Sequence, residues 1–175
     1  MNFKKIFILS LIISSSFAGC KNKERESHLY QINALSIRLD SLENVIETID
    51  NQNTKERILE INNTLSSIKS KIDNDTLSYD FIEKLNQYKD LPSIFSTNSE
   101  NLDKVKHSLP EVKKKLSDLK HDIEYGVNDR KQYDEFITFE KNKVIEIENV
   151  LNYYLQIDSK YQFLYDSLHP IMVKF

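Results

Sequence analysis

The chain has 175 residues, a formal charge of −3, one cysteine and two glycines. A lone cysteine excludes an internal disulfide, so stability rests on apolar burial, and so few glycines exclude glycine-built phosphate loops and the turn-rich all-β classes. Mild acidity argues against nucleic acid, which is bound through clustered Lys and Arg; the one basic run, Lys113-Lys114-Lys115, lies between Glu111 and Asp118 and reads as a solvated helix face.

Residues 1–5 are basic, 6–13 are apolar, and Ser14-Ser15-Ser16-Phe17-Ala18-Gly19-Cys20 closes the segment. This arrangement resembles the signal of bacterial lipoproteins, in which small residues precede a cysteine that is acylated on its thiol and becomes the new N-terminus. Ala18, Gly19 and Cys20 match that box, and Phe17 stands where the family has an aliphatic residue. The resemblance implies removal of residues 1–19, lipidation of Cys20, a short charged tether over 20–27 and a lipid bilayer as partner. Loss of Lys4 and Lys5 would take the formal charge from −3 to −5. Lys21 replaces the Asp that holds some lipoprotein families at the inner membrane, which points to the outer membrane of a diderm cell.

Other readings of the same residues stay open. A membrane-spanning helix needs about 20 apolar residues, more than this run supplies. Ser16-Phe17-Ala18 also fits ordinary signal cleavage after Ala18, which would leave Cys20 as an unpaired thiol in an oxidising compartment. The third reading is an apolar N-terminus on a cytosolic protein.

Helical periodicity then sets the class as all-α, with four to five helices expected at about 28–50, 54–73, 78–91, 100–125 and 129–168 of a single domain, 28–175. Ile32, Leu35, Leu39, Leu42, Ile46 and Ile49 follow steps of three and four, the seam of a coiled coil. Ile58, Ile61, Leu65, Ile68 and Ile72 repeat it out of phase, so a break near residues 50–53 and an antiparallel hairpin are predicted, with Asn53 and Glu56 as capping box. Phe81, Leu85 and Tyr88 mark a short helix ended at Leu91-Pro92, followed by a polar loop over 93–99. Leu102, Val105, Leu109, Val112, Leu116, Leu119 and Ile123 form the next seam, with a kink or restart near Ser108 and Pro110 and a left-handed cap at Gly126. The last helix has a seam through Tyr133, Ile137, Glu140, Val144, Ile147, Leu151, Tyr154, Asp158, Tyr161, Tyr165 and Leu168. Phe136, Lys143, Val150, Ile157 and Leu164 lie beside it as a third row, so this helix is expected to touch two neighbours in an elongated antiparallel bundle. Residues 169–175 read as a docked tail.

Candidates for chemistry are weak. Asp73, Asp75 and Asp80 resemble a calcium loop, but Leu77, Ser78 and Lys84 occupy positions that loop needs for a ligand, a glycine and a glutamate. Asp118 with His121 and Asp166 with His169 share an acid-x-x-His spacing similar to di-metal carboxylate bundles, yet Asp118 falls about 200° from its seam and should face water. His28 and His107 read as surface residues. Most tyrosines of the last helix fall in the core rows; Tyr153 lies off them and is the candidate for an exposed interaction residue. No motif names a cofactor, a metal or a reaction.

The anchor and seams resemble Braun-type lipoproteins that link membrane to wall, although those are one uninterrupted helix ending in Lys and this chain ends in Phe175. The expectation is a membrane-anchored envelope lipoprotein whose helical body is a spacer or interaction module for an envelope protein. Self-association through the narrow seams is an alternative to intramolecular pairing, and a ligand-binding or catalytic site between helices is the alternative function.

Overall fold

In the computed structural model of the chain, residues 23–50, 52–72, 77–127 and 132–175 are described, and Cys20 and the rest of the signal-like segment lie outside them. The described fold is all-helical, with four helices packed together: α1 (Phe3–Glu47), α2 (Asn51–Lys71), α3 (Tyr79–Tyr125) and α4 (Arg130–Lys174).

The chain forms two compact units. The first comprises Met1–Leu42 and Leu109–Ile145; the second comprises Glu43–Ser108 and Glu146–Phe175. In the first unit α1 runs antiparallel to α3, since Arg25 reaches the Glu124 carbonyl at 2.8 Å and Asp40 pairs with Lys113 at 2.6 Å. Ile32, Leu35, Leu39 and Leu42 are buried there with Leu116, Leu119, Ile123, Ile137 and Val144. In the second unit α2 buries Ile61 and Ile68 against Leu85, Tyr88, Leu91 and Phe95 of α3 and Tyr165, Leu168 and Met172 of α4.

The expected break between the first two helices occurs, one turn early. Asp50, in extended conformation (φ −86°, ψ 98°), caps α2 by accepting from the Gln52 amide, in place of the Asn53 and Glu56 box. The predicted hairpin partner is different as well. α1 through Leu42 belongs with α3 and α4 residues of the first unit, and α2 with those of the second.

The largest departure is in α3, which runs from Tyr79 to Tyr125 without the predicted loop at 93–99 or a restart at Ser108. Its buried positions, Leu85, Tyr88, Leu91, Phe95, Asn98, Leu102, Val105 and Leu109, keep steps of three and four straight through Pro92. A proline inside a helix costs about 3 kcal/mol, whereas each fully buried Leu or Phe returns about 1.5–3 kcal/mol. Burial of Leu91 and Phe95 alone offsets the loss. Pro110 is exposed, so the Lys106 carbonyl it leaves without a donor is open to water.

Gly126 ends α3 as expected, with φ 68° and the Val127 amide bonded to the Asp122 carbonyl at 3.0 Å, a Schellman closure. α4 also outruns its prediction. It continues through Pro170 to Lys174, burying Met172, so the tail packs as helix, and Phe175 stacks on Phe81 with ring centroids 4.4 Å apart.

Candidate functional site

The sequence reading expects a lipidated Cys20 and an exposed Tyr153. Cys20 lies outside the described residues, and Lys23 to Ser27, within α1, are exposed. Among the described residues no helix is long and apolar enough to cross a membrane. Tyr153 is 54 % exposed, as its off-seam position predicts.

Tyr153 borders an open groove of about 230 Å³ between α3 and α4 of the second unit. From α3 come Ser93, Thr97, Asn98 and Asn101, and from α4 Ile157 and Tyr161. These residues fall at helical spacing on each element, so continuity of α3 through Pro92 is what assembles the wall. Asn98 sits at a seam position, where it donates from Nδ2 to the Tyr154 carbonyl at 3.1 Å. A polar residue at such a position fixes register between helices at some cost in stability. Its Oδ1 is buried with no protein donor.

A second groove, about 490 Å³, lies between α2 and α3. Leu65, Ile68, Ile72 and Leu85 form its floor, and exposed Asn62, Ser66, Lys69 and Lys89 make it an open surface feature.

Three polar clusters tie the helices together. His28, expected at the surface, is buried: its Nε2 lies 2.8 Å from Asp134 Oδ1, and its ring meets Tyr133 edge-on. His28 precedes Ile32 by one seam step, which is the signal that places it inside. In the second unit, Tyr88 Oη and His169 Nδ1 are 2.6 Å apart, His169 stacks on Tyr165, and Tyr165 Oη donates to Glu60 at 2.5 Å. Burial raises the Tyr88 and Tyr165 hydroxyls above the usual tyrosine range, and the Glu60 carboxylate adds to the rise in Tyr165. Tyr154 is pushed up to about 12, first by burial and then by Asp158, with Arg57 opposing. Glu140, the third cluster, is buried in the first unit. Burial raises its carboxyl, Lys115 and Lys143 draw it back, and Glu111 adds to the rise.

The acid-x-x-His pairs resolve into ordinary contacts. Asp118 faces water as its phase predicts, and Asp166 accepts from Gln162 at 2.8 Å. His169 spends its Nδ1 on Tyr88. Among the described residues no group of three or more His, Cys, Asp or Glu side chains converges as a metal site. Within the basic run, Lys113 pairs with Asp40 and Lys115 lies near Glu140, so these lysines serve packing inside the first unit. No family model, no curated protein and no solved structure matches this chain.

Proposed function

We propose that this is a membrane-anchored bacterial lipoprotein whose helical body works as a spacer or protein-interaction module in the cell envelope. The observation that carries the reading is the run from Ser14 to Cys20, a basic and apolar leader ending in small residues and the one cysteine of the chain. The body adds support of a different kind. Both units bury continuous apolar rows, the arrangement of a stiff support more than of a deep reaction chamber. The steps of three and four along α1, α3 and α4 fit coiled-coil pairing of those helices. Acylated Cys20 would supply two or more chains, enough for stable membrane attachment.

Metabolic labelling with a fatty acid, followed by fractionation, tests the anchor. Label should enter the wild-type chain and vanish in Cys20→Ser, with the variant leaving the membrane fraction. Unchanged processing and membrane retention in Cys20→Ser would sink the anchor. Light scattering of the purified full chain tests self-association, and the present reading expects a monomeric body.

A ligand-binding or catalytic body with its site between helices is the second reading, and the groove of about 230 Å³ between α3 and α4 favours it.

A further inference from the structure

The sequence reading expects a charged tether over residues 20–27, but Lys23 to Ser27 belong to α1 and are tied to the rest of the first unit. Arg25 donates to the Glu124 carbonyl at 2.8 Å, and buried His28 has its Nε2 2.8 Å from Asp134 Oδ1. Tyr133, whose ring meets His28 edge-on, donates in turn to the Asp122 carbonyl at 2.8 Å. α1, α3 and α4 are therefore locked together from Arg25 onward.

Only Lys21 and Asn22 separate Cys20 from Lys23. Three peptide steps reach at most about 10 Å in any conformation. The polar layer on each side of the hydrocarbon core is about 5–8 Å deep, so an acylated Cys20 would hold Lys23 at the edge of that layer. α3 runs antiparallel to α1, and Arg25 opposite Glu124 sets Lys23 level with the turn that closes α3. What the short leash brings to the lipid is that turn.

Tyr125 and Val127 flank Gly126 and are 73 % and 62 % exposed, and a Cβ placed on Gly126 would meet nothing within 4 Å. A ring bearing a hydroxyl and a small apolar side chain suit the zone where hydrocarbon gives way to water. Among the described residues the charges at this end are of both signs, Lys23, Arg25 and Lys120 with Glu24, Glu26 and Glu124. A neutral lipid surface is therefore enough as a probe.

We propose that the turn at Tyr125, Gly126 and Val127 rests in the headgroup layer of the bilayer that holds Cys20, so that the first unit meets the membrane directly and not through a free linker. The proposal rests on the lipoprotein reading, and its test separates the two.

The chain has no tryptophan, so Tyr125→Trp and Val127→Trp each introduce a single fluorophore at an exposed position. Ile37→Trp is the reference, 69 % exposed and about 20 Å along α1 from Lys23. Each full chain is purified from the producing cells, its acyl groups are read by intact mass, and it is reconstituted into phosphatidylcholine vesicles. Emission from both turn variants should shift to the blue, and a headgroup-labelled nitroxide lipid should quench them roughly twofold or more above Ile37→Trp. An acylated chain whose turn variants emit as in water, or are quenched no more than Ile37→Trp, overturns the proposal and leaves the anchor standing. A chain without acyl groups overturns the anchor and the proposal with it. A blue shift that follows protein concentration and not lipid gives the turn to a second copy, and overturns the proposal too.

Discussion

The two units solve the same packing problem with different side chains. Among the described residues the first is mostly aliphatic inside, with Leu39 and Leu116 fully buried, Tyr133 its one buried tyrosine, and His28 and Glu140 its buried polar side chains. Aliphatic rows at steps of three and four interdigitate closely, and His28, set among them, meets its need for a partner at Asp134. The second unit buries Tyr88, Phe95, Tyr154 and Tyr165, with Asn98 among them. Buried tyrosine hydroxyls require partners, and the links through His169 and Glu60 follow from that need. Both grooves described above lie in this unit.

That contrast can be broken by truncating one core residue on each side. Phe95→Ala should cost about 3–5 kcal/mol and Leu39→Ala about 2–5 kcal/mol, read from denaturant unfolding of the full chain. Equal losses below 1 kcal/mol would mean that the cores are not packed as described. Pro110→Ala sharpens the comparison from the opposite direction. Its exposed site in an unbroken α3 predicts a gain of about 1–3 kcal/mol, because the Lys106 carbonyl regains its donor without disturbing the core. No gain would indicate that the helix restarts near Ser108 after all.

The smallest effect concerns Glu140, a carboxyl buried among the aliphatic rows of the first unit. Its carboxyl is raised above the ordinary 4.5, so the folded chain holds that proton more tightly than the unfolded chain. Stability from this group is therefore greatest below about pH 4.5 and falls as pH rises through the ordinary value to the raised one. Glu140→Gln should flatten that fall and gain about 1 kcal/mol at neutral pH in unfolding measured across pH. A loss would mean that Lys115 and Lys143 more than offset burial.

Most of the core was legible from spacing alone. Every member of the seam from Leu102 to Ile123 is buried, and the seam of the last helix correctly included Glu140, a charged residue in an apolar row. What misled was local chemistry. Pro92 and the polar run 93–99 carry every mark of a loop, yet Leu91, Phe95, Asn98 and Leu102 continue one phase, and tertiary burial prevails over local preference. Asn98 was hidden for that reason: a loop reading gives its side chain no wall to stand in. His28 lies one seam step before Ile32 and is buried, although a histidine with no partner at ligand spacing reads as a surface residue. The partners of α1 and α2 could not be read from their stripes, since an apolar stripe states that it is buried and not against what.

The groove at Tyr153 exists only if α3 is continuous, so amide hydrogen exchange along α3 of the full chain is the most direct measurement. The account predicts that amides 95–101 are protected to the same order as those of 112–123. Rapid exchange confined to 93–99, with protected helix on either side, would contradict it and dissolve the site.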